Sequence, residues 1–177
     1  GGNLTLTGGN TYNFNGDLTN NGTFSANDFG QTFNFTSSSG AISGNNEISL
    51  FEATFNAPAD YTNTGNLLIR DNLSGSGSFT NLGDLTVSNS LFGSGTFING
   101  NGATFTYSGN NSNGSNFTLT NFDASAVNNT VIYAVTTFDQ QWKTPSGPNN
   151  EYFNVEVSLG TGGYQALVLP SDIRVNG

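Results

Sequence analysis

Residues 61–78 and 79–96 align without a gap at a spacing of 18 residues and agree at eight positions. A repeat this short cannot enclose a core of its own. It buries its apolar residues only by stacking on the copies before and after it. The length suits one turn of a β-solenoid, so the chain is expected to be all-β, a parallel β-helix with irregular rungs of about 18–22 residues. In such a rod, function has to be sought on a repetitive surface and not in a cleft.

The shared element is an apolar residue, Thr-Asn, any residue, Gly, any residue and a second apolar residue. It reads Leu18-Thr19-Asn20-Asn21-Gly22-Thr23-Phe24, Tyr61-Thr62-Asn63-Thr64-Gly65-Asn66-Leu67 and Phe79-Thr80-Asn81-Leu82-Gly83-Asp84-Leu85. Looser copies start at Phe35, Phe97 and Leu119, so successive starts are 17, 26, 18, 18 and 22 residues apart. Insertions at one corner of a rung produce such variation, because strands are constrained and excursions between them are not. Asn and Gly tolerate the left-handed backbone of a sharp corner. Asn20, Asn63, Asn81 and Asn99, with Gly22, Gly65 and Gly83, are therefore read as corner residues whose amides stack into a ladder along the rod. Segments such as Asp84-Leu85-Thr86-Val87 and Thr104-Phe105-Thr106-Tyr107 alternate with the period of two of a strand with one buried face. The length accommodates roughly eight rungs, a rod on the order of 40 Å tall.

Charge narrows the partners. Three basic residues stand against twelve acidic ones, a formal net charge of −9, and phosphate recognition needs clustered Lys and Arg. No nucleic acid is expected. No stretch approaches the roughly 20 apolar residues of a membrane span, so direct membrane insertion is not expected either. Cysteine is absent, which removes disulfides and thiolate metal sites and favours an exported protein at the cell surface or outside the cell. The first residues already read as a strand and the last as a strand with a corner. The chain is accordingly read as an excerpt of a longer array, with neighbouring repeats of the same chain as partners.

Two regions differ in texture: 1–129, rungs with T-N-x-G corners, and 130–177, continuing rungs richer in β-branched residues. In the second, a loop at about 139–150 holds the only Trp and two of the four Pro and is expected to project. Trp142, with Tyr107 and Tyr164, is a candidate contact, because exposed aromatic rings stack on sugars; the alternative for Trp142 is a ring folded back over the core.

Asn129-Thr130-Val131-Ile132-Tyr133, Gln140-Gln141-Trp142-Lys143, Tyr152-Phe153-Asn154-Val155-Glu156-Val157-Ser158 and the ending Val175-Asn176-Gly177 together resemble a unit repeated in very large surface proteins of Bacteroidota. Asn3-Leu4-Thr5-Leu6-Thr7 and Gly16-Asp17-Leu18-Thr19-Asn20 resemble the piece that follows in those arrays. The resemblance covers most of the chain and is firmer at both ends than in the middle. It implies export, often by type IX secretion, and an adhesin-like stalk. The basic residue usual near one strand of the unit is replaced here by Gln165.

Parallel β-helices also carry polysaccharide lyases and hydrolases, which need converging carboxylates or a carboxylate with a basic partner. Glu47 and Glu52, and Glu151 and Glu156, are an odd number of residues apart and face opposite sides of a regular strand. No cofactor is expected, although calcium could settle adventitiously at Asp71 or Asp84; the glycine-rich corners lack the Asp of calcium-binding repeats. The pairs Thr5/Thr7, Thr104/Thr106 and Thr118/Thr120 suit an ice-binding array in spacing along the strand but not in recurrence. The expectation is a non-enzymatic stalk or adhesive segment of a bacterial surface protein, in contact with surface glycans or other cell-surface components. The alternatives are a carbohydrate-binding or polysaccharide-processing β-helix and an ice-binding solenoid.

Overall fold

A computed structural model describes residues 2–26, 28–109, 117–135, 140–147, 150–160, 167–168 and 175. The described residues form strands and turns without a helix, coiled into a parallel β-solenoid of about seven turns. Each of the first five turns contributes a strand to each of three faces, and every strand pair is parallel. Face A comprises β1 (Asn3–Thr5), β4 (Thr23–Ala26), β7 (Ile48–Leu50), β10 (Asn66–Ile69), β13 (Asp84–Val87), β16 (Thr104–Tyr107), β18 (Thr130–Val135) and β20 (Asn154–Leu159). Face B comprises β2 (Thr11–Phe14), β5 (Thr32–Phe35), β8 (Glu52–Phe55), β11 (Leu73–Ser74) and β14 (Leu91–Phe92). Face C comprises β3 (Leu18–Thr19), β6 (Gly40–Ser43), β9 (Asp60–Asn63), β12 (Ser78–Asn81), β15 (Thr96–Asn99) and β17 (Asn121–Asp123). A separate pair, β19 (Gln140–Gln141) and β21 (Leu167–Val168), lies beyond these.

The alternation read in the sequence sets which side chains go inside. In β10, β13 and β16, Leu67, Leu85 and Phe105 stack in register, as do Ile69, Val87 and Tyr107, and all six are buried. Rings of successive turns lie on one another: Phe35 and Phe55 are 4.6 Å apart and nearly parallel, and Phe97 and Phe122 are 5.6 Å apart at 7°. Such contacts add a directional term to hydrophobic burial. Thr130 begins β18 directly above Thr104, so the β-branched region continues the same face.

The repeat frame differs from the expected one in two places. Phe35 ends a strand of face B, and the face C position beneath Tyr61 is held by Gly40. A Cβ there would lie 2.2 Å from the Tyr61 ring. The ring reaches through the space left by that glycine, and its hydroxyl donates to the carbonyls of Phe14 and Gly16. The copy expected at Leu119 is likewise displaced, since Phe122 is the residue stacked on Phe97. Turns are also longer than expected where insertions occur, as between Phe105 and its partner Val131, 26 residues on.

In the Thr-Asn-x-Gly corners glycine serves for a different reason than a left-handed backbone. Gly22 and Gly83 are not at positive φ. A Cβ would lie 1.9 Å from the Gly2 carbonyl oxygen at Gly22 and 2.3 Å from the Gly65 oxygen at Gly83. What these positions require is close approach of stacked backbones, which only a residue without Cβ permits. Gly65 has more room, with 3.3 Å to the turn beneath it. Glycines at positive φ include Gly75 and Gly93 on the corner between faces B and C, and Gly44 and Gly102 on the corner between faces C and A, where the turns depart from the Thr-Asn-x-Gly pattern.

Candidate functional surface

The corner between faces C and A carries the predicted amide ladder. Asn63 Nδ2 donates to Asn81 Oδ1 at 2.8 Å, and Asn81 Nδ2 donates to Asn99 Oδ1 at 2.9 Å. Each amide also reaches a carbonyl at the start of the next face A strand, Asp84 from Asn63, Thr104 from Asn81 and Thr130 from Asn99. Oδ1 of Asn63 and of Asn81 accepts the N–H two residues on, at Gly65 and Gly83. Asn63, Asn81 and Asn99 are fully buried, so the ladder satisfies polar groups that would otherwise be costly.

Asn20 makes the same local bonds, accepting from Gly22 N and donating to the Glu47 carbonyl at 2.8 Å, but it does not join the ladder. The turn between Asn20 and Asn63 has Ser43-Gly44 at this corner, and its Ile42 pairs with Asn63. There is no amide there to relay the bond. In the other direction the column continues through residues outside the predicted set. Asn129 Nδ2 donates to the Asn99 carbonyl at 2.9 Å, and Asn154 Nδ2 donates to the Asn129 carbonyl at 3.0 Å. Asn129 precedes Thr130 as the other corner amides precede their face A strands, but no Thr-Asn-x-Gly pattern surrounds it.

Tyr107 is a core residue, 2% exposed, and its ring packs on Phe117 at 5.1 Å. It cannot offer a face to an external ligand, a correction that follows from its place in the inward-pointing column of face A. Trp142 is half-buried and stacks on Tyr133 at 4.8 Å and 14°, with Tyr152 edge-on at 5.0 Å. The described part of the loop expected to project, residues 140–147, turns back instead. Gln140 and Pro145 are buried, and Ser146 is bonded along Phe122, its N–H donating to the Phe122 carbonyl and its Oγ accepting the Phe122 N–H at 2.7 Å. Folding over the end of the aromatic core covers more apolar surface than projecting into water would. Tyr164 lies outside the described residues.

Around Trp142 is a cluster of phenols. Tyr133 and Tyr152 share a hydroxyl–hydroxyl bond of 2.8 Å, Lys143 N donates to Tyr133 Oη at 3.1 Å, and Tyr152 Oη donates to the Lys143 carbonyl. Burial holds all three phenols, Tyr107 included, well above the ordinary tyrosine range, with the neighbouring Tyr133 adding to the effect at Tyr107 and Tyr152. Burial also lowers Lys143. The three phenols stay neutral and hold the packing.

The acidic residues weighed for chemistry are separated by the coil. Glu47 precedes the face A strand β7, whereas Glu52 begins β8 on face B after the chain turns at Phe51. Glu151 adjoins Tyr152, which bridges to Ala124 beyond face C, and Glu156 lies in β20 on face A. Asp71 is occupied by amides, accepting Asn89 Nδ2 at 2.6 Å and Asn72 Nδ2 at 3.1 Å. Among the described residues, no three Asp or Glu side chains group as a cation site would. The Thr pairs register only in part: Thr106 stands above Thr86, but Leu68 and Ile132 interrupt that column.

Among the described residues, the aromatic ring most open to solvent is one that composition and alternation did not single out. Phe29 is 88% exposed and sits on the corner between faces A and B, edge-on to Phe51 at 5.3 Å. The signal available in the sequence was its position in Asp28-Phe29-Gly30, a turn tripeptide inserted between two strands. An opening of about 390 Å³ lies beside face C between Thr96, Ile98, Asn121 and Asp123 and the returning Ser146-Gly147.

Comparison with known proteins found no matching protein family, no similar curated protein and no similar solved structure.

Proposed function

We propose that this chain is a non-enzymatic, extracellular stalk segment of a large bacterial surface protein, adhesive through weak contacts multiplied along a repetitive polar surface. One observation carries this reading: the hydrogen bonds of all three faces, the amide ladder and the ring stacks run along a single axis. Load applied along the rod is then shared by many parallel bonds, as a strut requires. The outward side chains of faces A and C are mostly Thr, Ser, Asn and Asp, a surface suited to many weak polar contacts that gain strength from repetition. The resemblance to Bacteroidota surface repeats supports export, with type IX secretion as the proposed route.

The experiment is a screen against surface glycans and whole-cell surface fractions, with the chain as a free monomer and displayed many-fold on beads. Binding confined to the beads is the expected result. Silence in both forms would refute the adhesive half of the reading and leave a spacer.

A further inference from the structure

Phe29 stands where the free protein gains nothing from it. A ring that is 88% exposed contributes little hydrophobic stabilisation, yet the turn that presents it is firmly built. Gly8 N–H donates to Asp28 Oδ2 at 2.9 Å, Asp28 N–H to Gln31 Oε1 at 3.2 Å and Gln31 N–H to the Asp28 carbonyl at 3.2 Å. Gln31 is itself fully buried and donates from Nε2 to the Leu6 carbonyl at 2.9 Å. Gly30, at φ +80°, closes the turn. The ring is therefore pre-positioned, with Phe51 supporting its edge.

Polar groups are stacked above this ring pair. The backbone climbs the corner through Phe51 N–H to the Ala26 carbonyl, Asp71 N–H to the Phe51 carbonyl and Asn89 N–H to the Asp71 carbonyl. Arg70 is exposed and steadied by Nε–H donation to Ser49 Oγ at 3.1 Å, which leaves the rest of its five-donor fork directed elsewhere. Asp71, Asn72 and Asn89 form a bonded cluster on the same edge. Successive turns are about 4.8 Å apart, close to the length of one pyranose unit in an extended chain.

We propose that this corner, Phe29 and Phe51 with Arg70, Asp71 and Asn89 above them, is a docking ridge for a neutral polysaccharide in extended conformation. The inference rests on the adhesive reading and gives it a place. A pyranose offers an apolar C–H face and a rim of hydroxyls, which match an aromatic platform beside amide, carboxylate and guanidinium groups. The small apolar area argues against a protein partner, since a stable protein interface buries roughly 800 Å² on each side, and the other exposed rings and aliphatics, such as Phe92 on face B, lie elsewhere. With a net charge of −9, the rod repels acidic polysaccharides.

The test uses beads displaying the whole chain, F29A or F29W, probed with cellohexaose, xylohexaose, chitohexaose and, as the acidic counterpart, hexagalacturonate. The expected result is capture of at least one neutral hexasaccharide, reduced tenfold or more by F29A and kept or strengthened by F29W. Thermal midpoints should be unchanged, because the ring is exposed. Equal binding by F29A overturns the ridge and leaves the adhesive reading standing. Preference for hexagalacturonate overturns the neutral assignment. Failure to capture any neutral probe overturns the ridge outright, while the adhesive reading is decided separately by the surface-fraction screen.

Discussion

Replacing Asn81 with Ala removes the middle amide of the ladder. The side chain is fully buried and makes five bonds: from Nδ2 to the carbonyls of Gly83 and Thr104 and to Asn99 Oδ1, and at Oδ1 from Asn63 Nδ2 and Gly83 N–H. Asn63 Nδ2 keeps the carbonyls of Gly65 and Asp84, so its loss is small. Asn99 Oδ1 loses the donor it has in Asn81. A buried acceptor left unpaired costs about 1–3 kcal/mol, and because Nδ2 carries two hydrogens it adds one further donated bond, which with the bond accepted from Gly83 N–H costs about 1 kcal/mol net each, so N81A should destabilise by about 4 kcal/mol. For a slope of about 2–3 kcal/mol per molar, the urea midpoint falls by about 1.5 M. The control is N34A, which breaks an amide–amide bond of similar length, Asn34 Nδ2 to Asn13 Oδ1 at 3.1 Å, on the exposed outer side of face B. That change should stay within about 0.5 kcal/mol. Urea titrations followed by circular dichroism decide the matter: if N81A lies within about 1 kcal/mol of N34A, the ladder is not a source of stability and the reasoning fails.

The two corner glycines should separate. Gly83→Ala drives a Cβ toward the Gly65 carbonyl, whereas Gly65→Ala meets only a tight contact, so G83A should cost about 1–3 kcal/mol more than G65A in the same titrations. Phe55→Ala empties a stack bounded by Phe35 and Phe79 and should cost about 3–5 kcal/mol, measured as the loss in unfolding free energy. Alkaline pH should weaken the fold. Because burial raises Tyr107, Tyr133 and Tyr152 in the folded state, that state holds its phenolic protons more tightly than the unfolded chain. Their contribution is complete below an ordinary tyrosine pKa of about 10 and is lost as pH rises from there toward the raised values. Phenolate absorbance should show these three of the six tyrosines ionising only as the chain unfolds; ionisation with the fold intact would count against the buried phenol cluster.

The strands, their parallel stacking and the corner amides Asn63, Asn81 and Asn99 were legible in the sequence, because an 18-residue repeat permits few ways to bury its apolar positions and the period of two assigns each residue a side. The exceptions arose where a turn departs from the repeat. Gly40 and Tyr61 are far apart in sequence, and only stacking reveals that one leaves room for the other. Gly22 and Gly83 looked like turn formers, but their role depends on the distance to a carbonyl in the turn beneath, which no local pattern encodes. The same limit governs the candidate surface. Whether an aromatic side chain faces water depends on what the rest of the chain lays over it, so Tyr107 and Trp142 went inward and Phe29 was left outside. Local sequence determined the rung, and the contacts between rungs decided which residues the rod presents.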